Sequence, residues 1–207
     1  MTIHTNAWSA RGRLSPDDDE ALIKPFSEKE IKHAIFEMKE DSAPGPDGFG
    51  VAFFKNFWEM IKDEIIDIVN DFYLGNLDIS RLNYGVITLL PKIKNANTVK
   101  NFRPICLLNV CFKIFTRLLL GRLTSLANKL IGRNQTAFIK GRAILDSAVV
   151  LHEVLHELRH KKNERVVLKI DFEKAYDSIR WDFVEQILDI KGFYEKMKSW
   201  IMQTVRG

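Results

Sequence analysis

The sequence predicts a mixed α+β fold, and three observations carry that prediction. Apolar residues recur at helical spacing over several long segments; two short β-branched runs, Val86–Leu90 and Val166–Ile170, read as strands; and a connector rich in proline and glycine, Ser42–Gly50, separates the first helices. With 207 residues, 46% of them hydrophobic, the chain can bury one sizeable core or two small subdomains.

Met1–Pro25 reads as a loosely organised start; its like-charged run Asp17, Asp18, Asp19 and Glu20 has neither the glycine turn nor the ligand spacing of a calcium loop and reads as a solvated helix start or linker. A helix follows. Ser27 is its N-cap, Glu30 its capping-box partner, Phe26 and Ile31 its staple, and Ile31, Ala34, Ile35 and Met38 its apolar stripe. Ser42–Gly50 holds two prolines and three glycines and must turn; it lacks the spacing of a phosphate-binding loop, and Asp47 reads as a turn cap. Phe54, Phe57, Trp58, Ile61, Ile65, Val69 and Phe72 define a helix through Tyr73 that stops at Gly75. The Val86–Leu90 strand leads through Pro91 and Lys92 to a polar, extended tip, Lys94–Asn101. From Leu107 onward, Ile114, Phe115, Leu118, Leu119, Leu123, Leu126 and Leu130 mark one face of a helix, with Lys113, Arg117 and Arg122 near its other side. Ile144–His160 is another amphipathic helix. Beyond the second strand, Trp181, Val184, Leu188 and Ile201 keep core-like spacing through two helices interrupted at Gly192.

The net charge of +4 conceals a partition. Met1–Asp78 holds 8 basic and 16 acidic residues, whereas the 67 residues Ile79–Leu145 hold 12 basic residues and no acid. Solvated surfaces usually mix signs, so this interval predicts a face that binds a polyanion, the alternative being a basic surface paired with the acidic first third. Cys106 and Cys111 are too few for a disulfide framework or a four-cysteine zinc site and sit among apolar residues, which predicts buried thiols in a reducing compartment. The first residues lack an apolar signal region, and no apolar run approaches membrane-spanning length, so the expected location is intracellular, nuclear or cytoplasmic.

The segment Val166–Ser178, VVLKIDFEKAYDS, places Asp171 at the end of an apolar run. Such an acid is either a helix or turn cap or a charge set in a cleft to hold a cation, and spacing alone does not separate the two. The motif Asp-x-x-Lys-Ala-Tyr-Asp, however, resembles the first catalytic motif of reverse transcriptases of non-LTR (LINE-type) retrotransposons, especially plant elements. Ala43–Gly48, Leu89-Leu90-Pro91-Lys92, Phe102-Arg103-Pro104-Ile105 and Gln135-x-Ala137-Phe138-x-x-Gly141-Arg142 resemble further motifs of that family, in the family's order.

The resemblance implies the fingers and partial palm of a right-hand reverse transcriptase: a start at 1–25, fingers over 26–160 and the first part of the palm over 161–207. It implies an RNA-directed DNA polymerase that copies an RNA template from a DNA primer with dNTPs and Mg²⁺, Mn²⁺ being possible. Asp171 would bind both metals, with Phe172 lending a backbone carbonyl; Tyr176 would lie under the sugar of the incoming nucleotide and disfavour a 2′-hydroxyl. Lys92 and Arg103 would contact its triphosphate. Lys113, Arg117, Arg122 and Arg142 would face the template strand, Arg142 having an intramolecular salt bridge as its alternative. Two-metal phosphoryl transfer needs several carboxylates. The family supplies the others on an aromatic-Ala-Asp-Asp segment that these residues do not reach, and Glu173 and Asp177 do not replace it. The isolated chain is therefore expected to be inactive, truncated before the second carboxylate motif and in need of palm and thumb segments. The alternative is a non-catalytic nucleic-acid-binding remnant or scaffold.

One motif points elsewhere. His152-Glu153-Val154-Leu155-His156 fits the HExxH pattern of zinc proteases, with His160 one turn on, but a third ligand normally comes from another element. His4 and His33 are not in downstream ligand positions, so no zinc is expected.

Overall fold

A computed structural model describes residues 12–161, 166, 168, 170 and 178–206. Its elements are α1 (Pro16–Leu22), α2 (Glu28–Phe36), α3 (Val51–Asn56), α4 (Trp58–Leu74), β1 (Gly85–Pro91), β2 (Phe102–Leu108), α5 (Val110–Leu130), α6 (Ile144–His160), α7 (Trp181–Lys191) and α8 (Glu195–Arg206), with short 3₁₀ turns at Ile79–Arg81 and Val99–Asn101. They cluster into two compact units. One lies within Leu22–Arg122 and Ser199–Gly207, the other within Met1–Ala21 and Leu123–Lys198.

In the first unit the apolar stripes meet as their spacing requires. Ile31 and Ile35 of α2, Trp58, Ile65, Val69 and Phe72 of α4, and Ile114, Phe115 and Leu118 of α5 are buried. Each large apolar side chain removed from water contributes roughly 1.5–3 kcal/mol, so this helical core outweighs any local propensity in holding the unit. Aromatic rings fill its centre: Phe72 lies 5.0 Å from Phe115 and 5.5 Å from Trp200, and Phe26 lies 5.5 Å from Trp200, in tilted arrangements. The long aromatic helix breaks at Phe57, which caps both α3 and α4 and is exposed rather than core.

Ser27 caps α2, its hydroxyl accepting from the Glu30 N–H at 3.2 Å. The other half of the expected capping box does not form, because the Glu30 carboxylate binds Arg122 instead. β1 and β2 form a two-stranded antiparallel hairpin in which Gly85 faces Leu108 and Pro91 faces Phe102.

The second unit contains the main departure at the chain start. Residues 16–22 are helical, the first of the two readings of the acidic run, but Asp19, expected to be solvated, is 1% exposed. Asp19 Oδ1 accepts from the Tyr194 N–H at 3.2 Å, Leu14 N–H donates to Lys191 O at 2.9 Å, and Lys191 Nζ donates to Gly12 O at 3.2 Å. These bonds fasten the start of the described chain to the turn between α7 and α8, beside the buried Phe193 and Met197. Sequence periodicity cannot register such a distant partner.

Val166, Leu168 and Ile170, expected in a buried strand, stand outside any strand and are 94%, 77% and 66% exposed. Among the described residues the sheet consists of β1 and β2. Trp181, expected in the core, is exposed at the first turn of α7. Cys106 is exposed on β2; only Cys111 keeps the expected apolar shelter, and burial pushes its thiol pKa up.

Candidate nucleic-acid interface

The hairpin sets the relation between two of the predicted site residues. Leu90 is paired with Arg103, and the ladder is extended by Lys92 N–H donating to Asn101 O at 2.7 Å. Lys92 stands one residue past the end of β1 and Arg103 is the second residue of β2, so both lie at the same end of the hairpin. Both are exposed, and Lys92 Nζ donates to the Lys100 carbonyl at 3.2 Å. Two cations at one end of a hairpin can grip a polyphosphate, the guanidinium as a fork and the ammonium as a point charge.

Behind the hairpin, α5 begins where Asn109 holds the proline- and glycine-rich connector. Asn109 Oδ1 accepts from the Asp47 N–H at 3.3 Å, and Asp47 Oδ1 accepts from the Phe49 N–H at 3.0 Å, the turn-capping role expected of Asp47. Gly45 is required here: a Cβ would lie 2.3 Å from Asn109 Oδ1 and 2.5 Å from its backbone nitrogen. Lys113 Nζ donates to Ala43 O at 3.4 Å from the next turn of α5.

Lys113 and Arg117 lie one turn apart on α5, while Arg122 has a different task. Its Nε donates to Glu30 Oε1 at 2.8 Å, Nη2 to Glu30 Oε2 at 3.0 Å and Pro25 O at 3.2 Å, and Nη1 to Leu22 O at 2.7 Å and Lys24 O at 2.6 Å. Its guanidinium carbon lies 3.7 Å from the Phe26 ring centroid. With its donors committed to one carboxylate and three carbonyls, Arg122 is an internal clamp. Arg142 behaves likewise in the other unit. It donates to Asn128 Oδ1 at 3.0 Å and to the carbonyls of Gly132, Gln135 and Ile131 at 2.6, 2.6 and 3.0 Å, its alternative being met by carbonyls instead of a salt bridge. Gly141, with φ +82°, makes the turn that brings Arg142 there. Phe138, expected to pack, is 88% exposed with φ +65°.

A hollow of about 340 Å³ opens beside α5, lined by Met38, Lys39, Ser42, Lys113, Thr116 and Arg117. Lys39, Ser42 and Thr116 were absent from the sequence prediction. Thr116 is three residues from Lys113 and so shares its helix face, a signal that was available; Lys39 and Ser42 are brought in by tertiary packing, which was not.

Asp171, Phe172, Glu173, Tyr176 and Asp177 lie outside the described residues. Among the described residues no three His, Cys, Asp or Glu side chains are grouped to hold a metal ion. On α6, His152, Glu153 and His156 are exposed, and the His156 ring packs edge-on to His160 at 4.6 Å. No helix among the described residues is long and apolar enough to cross a membrane.

Residues 91–205, more than half the chain and including both Arg103 and Asp171, match the family model described as reverse transcriptase (RNA-dependent DNA polymerase). The chain belongs to the reverse transcriptase family. It is 28% identical over 187 residues to the Transposon TX1 uncharacterized 149 kDa protein of Xenopus laevis, covering 90% of this chain and 14% of that protein. It is 27% identical over 186 residues to the Pol polyprotein of a type-1 retrotransposable element R2 of Nasonia vitripennis, covering 90% of this chain and 17% of that one. It is also 24% identical over 166 residues to the Pol polyprotein of the type-2 retrotransposable element R2DM of Drosophila melanogaster, covering 80% and 15%. These relatives identify the reverse transcriptase as the non-LTR type, and the chain spans less than a fifth of their lengths.

Proposed function

We propose that this reverse transcriptase segment supplies the fingers and the first part of the palm of an RNA-directed DNA polymerase of a LINE-type retroelement, and that its own contribution is to hold nucleotide and strand. The observation that carries the reading is the acid-free interval Ile79–Leu145, which holds Lys92 and Arg103 at one end of the hairpin and Lys113 and Arg117 one turn apart on α5. Lys92 and Arg103 bind the triphosphate of the incoming dNTP. Lys113 and Arg117 bind the backbone of the RNA template or the template–primer duplex; Arg122 and Arg142 hold the scaffold.

Asp171 supplies one carboxylate to the reacting centre, Phe172 a backbone carbonyl, and Tyr176 a wall beside the sugar. Bound Mg²⁺ would supply charge neutralisation at the phosphoryl group. With one such carboxylate the 207-residue chain by itself does not polymerise, and activity requires the further palm and thumb segments. The second reading, a non-catalytic nucleic-acid binder, is favoured by the same basic interval, since binding needs no carboxylate.

Release of condensed counterions makes backbone binding steeply salt-dependent and indifferent to base sequence. Fluorescence anisotropy of labelled RNA and RNA–DNA duplexes with the purified chain, across a salt series, tests the binding part. A steep fall of log affinity with log salt, alike for unrelated sequences, is expected; absence of binding by the folded chain at low salt contradicts it.

A further inference from the structure

The hollow beside α5 brings together cations that the chain order keeps far apart. Lys39 arrives from the turn after α2, Lys113 and Arg117 from successive turns of α5, and Met38 forms an apolar, buried wall. Two hydroxyls secure the frame. Ser42 Oγ donates to the Lys39 carbonyl at 2.8 Å, and Thr116 Oγ1 donates to the Lys113 carbonyl at 2.9 Å, so each ties down the backbone of a cationic residue. The acid nearest in sequence, Glu40, is engaged elsewhere, with its carboxylate 3.4 Å from Lys55 Nζ.

We infer that this hollow is a seat for one phosphodiester unit of a nucleic-acid strand, with Lys39 as a phosphate ligand beside Lys113 and Arg117. The inference rests on the strand-binding reading above and deepens it by naming a discrete site. At about 340 Å³ the space admits a phosphate with its sugar. Its lining holds three cationic side chains for the phosphate, and neither an aromatic ring to stack a base nor an acidic side chain to repel the anion. That composition recognises backbone and leaves base identity unread. A free nucleoside triphosphate presents the same phosphate chemistry, and the experiment separates the two sources.

The test measures the full 207-residue chain, its Lys39→Gln variant and its Lys39→Arg variant against labelled single-stranded RNA over a salt series, and against a labelled nucleoside triphosphate. Lys39 is exposed, so its substitution removes no core contact. The expected result is a salt slope shallower by roughly 0.7 in Lys39→Gln, equal for every RNA sequence, with the slope restored in Lys39→Arg. Nucleotide affinity should be the same in all three. A wild-type slope in Lys39→Gln, in a chain that binds RNA, overturns the seat and leaves the broader reading standing. Loss of nucleotide affinity with an unchanged RNA slope overturns the assignment to a strand. No RNA binding by the folded parent overturns the broader reading and the seat with it.

Discussion

The guanidinium of Arg122 grips both carboxylate oxygens of Glu30, at 2.8 and 3.0 Å, from a position 92 residues away in the chain. The Arg122 side chain is 9% exposed and that of Glu30 32%, so the pair is part-buried, with the carboxylate keeping some contact with water. A bidentate pair in that setting is strong only while both partners remain, and the same guanidinium also satisfies carbonyls ahead of α2 and stacks on Phe26. One residue thus joins α5 to the entry of α2.

Arg122→Ala should cost about 2–4 kcal/mol, less than the loss of one partner of a fully buried pair because water can reach the Glu30 carboxylate. Arg122→Lys should recover only part of it, because an ammonium cannot reproduce the planar fork. Urea denaturation of the three chains measures this. A loss within a few tenths of a kcal/mol for Arg122→Ala would return Arg122 to the strand-binding surface.

Gly45→Ala should destabilise the first unit by about 1–3 kcal/mol, since the new methyl meets Asn109 backbone as well as its side chain. Asn109→Ala should be milder, removing one hydrogen bond to the connector. Thermal melts compare the two. Equal stability of Gly45→Ala and the parent would mean that the connector does not lie against Asn109.

How much of this could be read in the sequence depends on the range of the interaction. The hairpin strand, the stop at Gly75, the bounds of α6 and the capping of α2 by Ser27 follow from local period and local chemistry, and the sequence carries all of them. Lys92 and Arg103 were legible as members of two motifs; that Arg103 stands opposite Leu90, at the same end of the hairpin as Lys92, needed the register. Glu30 was misread because its nearest candidate partner, the Ser27 N–H, loses to a full positive charge from a distant helix. The same holds for Asp19, one of a run of acids that reads as solvated, and for Trp181, Val166, Leu168 and Ile170, whose apolar character says that they can be buried without saying against what. Arg122 and Arg142 look alike to Lys113 and Arg117 in sequence, and only the several carbonyls gathered around each guanidinium mark the first two as clamps.

Asp19 gives a pH prediction. Burial pushes its carboxyl pKa up, opposed by the Tyr194 N–H, and among the described residues its Oδ2 accepts no hydrogen bond. A folded pKa above the unfolded one means that the folded state binds the proton more tightly. The resulting stability is fully present below the unfolded pKa and is lost as pH rises through the folded one. Asp19→Asn should therefore raise the Tm at neutral pH, keep the acceptor for Tyr194, and flatten the parent's gain in relative stability on acidification. Melts of both chains from acid to neutral pH show it; a lower Tm for Asp19→Asn at pH 7 would mean that the charged carboxylate is compensated.

The measurement that bears most directly on the polymerase assignment is single-nucleotide incorporation on an RNA template with a DNA primer, by a version of this chain extended through the further palm and thumb segments of the polymerase. Asp171→Asn should abolish incorporation while leaving template affinity intact, because the proposal gives the carboxylate to the reacting centre and the strand to Lys113 and Arg117. Arg103→Ala should chiefly weaken dNTP use, Lys92→Ala should do so more mildly, and Tyr176→Ala should raise ribonucleotide use relative to deoxynucleotide use. Turnover by Asp171→Asn close to that of the parent would contradict the assignment at its centre.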